Sequence, residues 1–217
     1  MTTLEFIKKR FNLDFNQELP IKINGSRFKE LPKLFRDLGF KVGVEIGVQK
    51  GRYSKFLCYY NKGLKLYCVD PWLSYKGYVE QHDDKGQVEL NEFLEIAKER
   101  LKPFDCTFVR KFSMDAVKDF ADESLDFVFI DGNHSFEFVI NDIAEWGKKV
   151  RKGGIISGHD YWDSMGKRTY SKNLTLEDKI KVCQVKTAVD GWTYVNLIKP
   201  WFIFNNDKCP SWMWVKE

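Results

Sequence analysis

Apolar residues along this chain change their spacing several times, and each change marks a boundary between elements. Over about 2 to 15, "TTLEFIKKRFNLDF", and again over 26 to 39, "SRFKELPKLFRDLG", they recur at helical intervals, the second stretch stopping at Gly39. The next segment, "KVGVEIG" (41 to 47), is a short apolar run of the length of a buried strand. "RYSKFLCYYNKG" (52 to 63) returns to helical spacing and closes at Gly63, and "LKLYCVD" (64 to 70) is a second strand. Strand, helix and strand in succession make a parallel unit, because parallel neighbours need a crossover connection.

The alternation continues through a polar loop (71 to 86), a helix at about 87 to 101, strand "CTFVRK" (106 to 111), a short helix (114 to 121) and strand "LDFVFID" (125 to 131). Phe136, Val139, Ile140, Ile143, Ala144 and Val150 then follow helical spacing behind Ser135 as N-cap, and Gly153 and Gly154 precede strand "GIISG" (154 to 158). After a polar segment (162 to 175) and a helix at about 177 to 190 come "WFIFNN" (201 to 206) and "SWMWVKE" (211 to 217). Their link, "DKCP", is short enough to force them antiparallel. The pattern predicts an α/β fold with a mostly parallel sheet ending in an antiparallel hairpin. It divides the chain into a helical extension (1 to 40) and one globular domain (41 to 217).

Composition narrows the class. A chain of 217 residues, 43% of them apolar, has the material for a single buried core. Its start has charges inside the apolar pattern and no uninterrupted hydrophobic stretch, and nowhere do about 20 apolar residues run together, so a cytoplasmic protein without membrane spans is expected. The five cysteines (58, 68, 106, 183 and 209) contain no CxxC pair and suggest neither a disulfide framework nor a cysteine zinc site. A net charge of +4, from 35 basic and 31 acidic residues mixed along the chain, is too weak and dispersed to specify nucleic acid. The basic "KKVRKGG" fits a helix end, where cations complement the dipole.

The candidate chemistry begins at the first strand-to-helix loop, the usual ligand cradle of open α/β sheets. In "VEIGVQKG" (44 to 51), Gly47 permits a tight turn with close backbone approach and Gly51 opens the next helix. The glycine spacing is wrong for a dinucleotide fingerprint, and Glu45 would repel a phosphate there, so the loop suits a ligand with positive charge. Asp70 ends the second strand, placed to accept the hydroxyls of an adenosine ribose.

With "VDPW", "LDFVFIDGNHSFEFVINDIAEWGKKVRKGGIISGHDYW" and the final strands added, the chain from about 40 onward resembles the class I S-adenosylmethionine-dependent methyltransferases. It looks most like the subgroup whose fourth strand ends I-D-G-x-H and whose fifth ends G-H-D-Y. The resemblance implies a Rossmann-like seven-stranded sheet in the order 3-2-1-4-5-7-6. It also implies that S-adenosyl-L-methionine meets Glu45, Gly47 and Gly51 through its methionine part and Asp70 through its ribose, with the adenine near Trp72, Ser113 and Met114. Met114 could equally be core packing.

Asp131 and His134 close the fourth expected strand, and His159 and Asp160 the fifth, so neighbouring strands bring all four to one rim. Methyl transfer from a sulfonium needs no enzyme nucleophile, and what remains is the acceptor's proton. His159, with an ordinary pKa near neutral, is the first candidate base, Asp160 orienting it or binding the acceptor, and His134 is a further candidate. Alternatively, as the resemblance to metal-dependent O-methyltransferases implies, Asp131, His159 and Asp160 hold Mg²⁺, although this chain departs from their acidic pattern with a histidine at 159 and magnesium prefers oxygen ligands. The "DGNH" after strand four differs from the Asn/Asp-Pro-Pro-aromatic tetrad of nucleobase-amine methyltransferases. The expected acceptor is therefore oxygen on a small molecule or sugar, met by the loops 73 to 86 and 162 to 175. A nucleotide- or NAD-binding oxidoreductase and a non-catalytic cofactor-binding module are the rivals. Residues 1 to 40 are left three roles: covering a sheet face, capping the cofactor or forming a homodimer contact.

Overall fold

The computed structural model describes residues 1–75, 86–164 and 182–217. Its helices are α1 (Thr3–Phe11), α2 (Glu30–Asp37), α3 (Arg52–Tyr60), α4 (Gln87–Leu101), α5 (Ser113–Ala116) with a following 3-10 turn (Val117–Asp119), α6 (Phe136–Lys149) and α7 (Val185–Val195). The strands are β1 (Ile21–Ile23), β2 (Val42–Ile46), β3 (Lys65–Val69), β4 (Cys106–Val109), β5 (Leu125–Ile130), β6 (Val150–Gly158), β7 (Trp201–Phe204) and β8 (Ser211–Val215). One mixed sheet joins all eight in the order β1-β7-β8-β6-β5-β2-β3-β4.

The five strands β2 to β6 are mutually parallel, and β8 runs antiparallel to both β6 and β7. This corrects the expected seven-stranded sheet. An eighth strand, β1, lies in the N-terminal extension and pairs parallel with β7, Ile21 opposite Phe202 and Ile23 opposite Phe204. Three residues, "IKI", suffice because Ile21 and Ile23 point into the core while Lys22 points out. Long apolar partners on β7 supply the rest of that face.

Each face of the sheet carries its own core. Helices α1 to α4 cover one, with Ile7, Leu31, Phe35, Leu57 and Leu94 packed on Leu66, Phe127 and Phe202. Helices α6 and α7 cover the other, where Ile143, Trp146, Ala188 and Val189 meet Val128, Ile156 and Trp212. Residues 1–40 therefore share the main core. Among the described residues no helix is long and apolar enough to cross a membrane.

Helix α2 starts four residues later than its spacing predicts. Ser26 and Arg27 are taken by Asp207 in the β7–β8 turn, which accepts from the Ser26 hydroxyl and the Arg27 amide, each at 2.7 Å. Pro32 then falls in the first helical turn, where a missing N–H costs nothing. Helix α7 likewise runs later than the expected 177–190, and the start of that expectation lies outside the described residues, as do most of the loops 73–86 and 162–175.

Candidate functional site

The carboxyl ends of β2, β3 and β5 open onto a cavity of about 870 Å³, bordered by Glu45 to Lys50, Arg52 and Tyr53, Asp70 to Leu73, Phe112 to Met114, Asp131 to His134 and, from the N-terminal arm, Arg27 and Phe28. Glu45 sits one residue before the end of β2, 1% exposed, and accepts a hydrogen bond from the Ser54 hydroxyl on α3. Burial pushes its carboxyl up to about 8, against the Ser54 bond and with Asp131 adding to the rise. A carboxyl of this kind is neutral at pH 7 and ionises readily beside a cation.

Gly47 has φ +84°, and a Cβ there would stand 1.9 Å from the Asp131 carbonyl oxygen. The residue must be glycine because two neighbouring strand ends approach one another. That is an intramolecular reason, where the sequence suggested close approach to a ligand. Gly51, at φ +68°, begins α3 against Ala97 of α4.

Asp70 braces the same loop. Its Oδ2 accepts from the Gln49 amide at 2.9 Å and its Oδ1 from the Trp72 amide at 2.8 Å, while the Trp72 indole donates to the Gln49 carbonyl at 2.8 Å. Burial raises the Asp70 carboxyl, opposed by the amides of Gln49, Trp72 and Val48. Each oxygen keeps a further lone pair for a ligand hydroxyl. Trp72, only 1% exposed, is a wall of the cavity and not an open stacking plate. Ser113 is similarly occupied: it donates to Asp142, whose carboxyl burial pushes up to about 7, and accepts from the Trp146 indole at 2.8 Å. Met114 borders the cavity and also packs on the α6 side of the core.

The second constellation forms the rim. His134 Nε2 lies 3.3 Å from Asp131 Oδ1 and 3.5 Å from Asp160 Oδ2, and His159 Nδ1 lies 3.4 Å from Asp131 Oδ1 and 3.1 Å from Asp160 Oδ1. Each histidine thus lies within 3.5 Å of both carboxylates, and the four gather at adjacent strand ends. Burial works against the charge on His159, but Asp131 and Asp160 outweigh it and raise the imidazole to about 9. His159 is therefore an imidazolium at neutral pH, unlike the near-neutral base expected of it. Burial alone would raise Asp131 too, yet His159, His134 and Arg27 hold it well below the usual carboxylate range. Only Asp131 and His134 of the four border the cavity. The donor atoms that gather within 4.8 Å of one another belong to Asp131, His134 and Asp160, so His134 takes the place given to His159 in the expected metal set.

Sequence reasoning missed Arg27 and Tyr53. Arg27 Nη1 donates to Asp131 Oδ2 at 3.0 Å across 104 positions of sequence, and no local signal marks it. Its guanidinium lies 4.7 Å from the centre of the Phe28 ring and 5.3 Å from that of Tyr53. Arg27 Nε and the Tyr53 hydroxyl are both buried without a hydrogen-bond partner, and both residues border the cavity. Buried unpaired donors are uncommon and costly, which marks this wall as one that a ligand acceptor completes.

Comparison with known proteins gives the family and the fold. A family model described as "Methyltransferase domain" matches residues 44–161, more than half of the chain. The Acanthamoeba polyphaga mimivirus chain described as "Uncharacterized protein R132" is 33% identical over 125 residues, covering 55% of this chain and 51% of its own. The chain thus spans about half the length of the curated relative it matches. Among solved structures, the O-methyltransferase from Bacillus cereus in complex with SAH has a TM-score of 0.61 at 15% identity, over 99% of this chain and 90% of that one. The O-methyltransferase TomG from Streptomyces achromogenes, in complex with SAM, has a TM-score of 0.58 at 14% identity, over 97% and 86%. At such identities the likeness is one of fold.

Proposed function

From the premise that the chain belongs to the methyltransferase-domain family, we propose that it is an S-adenosylmethionine-dependent O-methyltransferase acting on a hydroxyl of a small molecule or sugar. The observation that carries this is one cavity lined by Glu45 and Asp70, at successive strand ends, and by Tyr53 and Arg27, whose buried donors lack a partner. These residues fit the cofactor's polar groups one by one. Glu45 takes the ammonium, the Tyr53 hydroxyl and Arg27 Nε take the carboxylate, and Asp70 offers its remaining lone pairs to the ribose. Gly47 and Gly51 shape the loop between them, and Trp72 and Met114 wall the adenine end, with Ser113 holding Asp142 behind it.

When bound, S-adenosylmethionine supplies an electrophilic methyl group. The protein's part in an in-line displacement is alignment, which can lower a barrier by about 7 to 11 kcal/mol. Among the described residues His134 is the histidine that borders the cavity, and it is assigned to take the acceptor's proton. Asp131 and Asp160 flank its Nε2 and stabilise the imidazolium that forms. His159, already charged, keeps both carboxylates ionised.

Calorimetric titration of S-adenosylhomocysteine into wild type and Asp70→Ala, with and without Mg²⁺ and with NAD as the control ligand, tests the reading. Wild type is expected to bind S-adenosylhomocysteine and not NAD, and Asp70→Ala to lose about tenfold to a hundredfold in affinity. No wild-type binding under either condition would refute it.

A further inference from the structure

We propose that Arg27, brought in by the N-terminal arm, occupies the position at Asp131 that a divalent cation would need, so that the reacting rim works without a metal. The proposal rests on the methyltransferase reading only for what the rim does, and its test does not require that reading.

The donor set itself is the first argument. Asp131 Oδ2 receives Arg27 Nη1 at 3.0 Å, and Asp131 Oδ1 faces His134 and His159. Asp160 Oδ1 faces His159, and its Oδ2 faces His134. Each carboxylate oxygen that could hold an ion is met by a nitrogen of the protein. The third group within reach, His134, is a nitrogen as well, whereas magnesium is held by oxygen. Magnesium and manganese, which favour oxygen ligands, do not fit this rim while Arg27 is in place.

Permanence of the charge is the second argument. A guanidinium does not deprotonate in proteins, so no ordinary pH withdraws it from Asp131. A dication placed on the same carboxylate would face a fixed positive charge across a buried site, where little water screens the repulsion.

The third argument is that Arg27 is fastened. Its amide and the Ser26 hydroxyl are both bonded to Asp207 at 2.7 Å, and its guanidinium is flanked by the rings of Phe28 and Tyr53. The arm cannot swing away without breaking these contacts together. Beside the cofactor contact proposed for its Nε, Arg27 thus acts through Nη1 as a positioning residue that keeps Asp131 charged and directed at His134.

The test follows Mn²⁺ by the electron paramagnetic resonance of the free ion, titrated into the full chain. Wild type is expected to show no Asp131-dependent binding below about 1 mM, the weak end of biological divalent sites. Arg27→Gln should bind at least about tenfold more tightly, and adding Asp131→Asn should abolish the gain. Asp207→Asn, which loosens the arm and leaves the rim intact, should show a smaller gain and guards against a misfolded Arg27 variant. Micromolar, Asp131-dependent binding by wild type would overturn the proposal. So would Arg27→Gln and Asp207→Asn variants that bind no better than wild type. S-adenosylhomocysteine affinity measured in a chelator on the same samples reports separately on the methyltransferase reading.

Discussion

A tyrosine hydroxyl with no partner and a glutamate with a raised pKa line one cavity, and each makes a distinct claim about the ligand. Tyr53 is 5% exposed, and its hydroxyl is buried at the cavity without a protein partner, where a ligand acceptor would pair it. Tyr53→Phe should leave the stability of the empty protein unchanged or raise it, and should weaken S-adenosylhomocysteine about tenfold. 5′-Methylthioadenosine, which lacks the carboxylate, should bind both proteins alike, and equal losses for the two ligands would remove Tyr53 from the carboxylate seat. Glu45 makes its claim through pH. Its folded carboxyl titrates at about 8 against an ordinary value of 4.5, and Asp142 at about 7 against 3.8. Between those limits the folded state holds protons that the unfolded chain has released. The stability they confer is complete below about pH 4 and is lost as pH rises towards 8. Denaturant unfolding from pH 5 to 8 should show this decline, and Glu45→Gln should flatten it and be the more stable protein at pH 8. A wild-type stability that rises over this window would contradict the assignment.

Elements that a single local pattern defines were readable from the chain, and those that depend on a distant partner were not. Strands β2, β3 and β5 carry continuous apolar runs, so their ends, and with them Glu45, Asp70 and Asp131, could be placed without a structure. Strand β1 could not, because Ile21–Ile23 is too short to show a period and becomes a strand only beside β7. Arg27 was hidden for the same reason: its backbone is held by Asp207, 180 positions away, in a stretch whose spacing reads as helix. The charge of His159 was equally illegible, since it is set by two carboxylates whose distances only the fold determines. The strand also has a measurable weight. Ile21 is fully buried, and Ile21→Ala should cost about 2 to 5 kcal/mol in chemical unfolding. If β1 were a dispensable edge, Lys22→Ala and Ile21→Ala would be indistinguishable.

At the scale of the whole molecule, the site is assembled from both ends of the chain. The β2–α3 loop and Asp70 form its floor, the strand end of β5 its rim, backed by His159 and Asp160 after β6, and the arm around Arg27 one wall, pinned to the C-terminal hairpin through Asp207. A ligand that completes this wall must therefore stabilise three segments far apart in sequence at once. Hydrogen exchange with and without saturating S-adenosylhomocysteine should slow at 26–28, 47–53 and 131–134 together. Exchange at 192–198, beside a separate cavity between α6, α7 and β8, should stay the same. The added stability at about a hundredfold excess over Kd is about 2.7 kcal/mol. For a chain of this size that corresponds to a melting temperature higher by about 5 to 11 °C. Protection of 47–53 without any change at 26–28 would mean that the cofactor is held by the methyltransferase domain alone. The N-terminal arm would then be a covering of the sheet, with Arg27 bound to Asp131 for stability and not for the ligand.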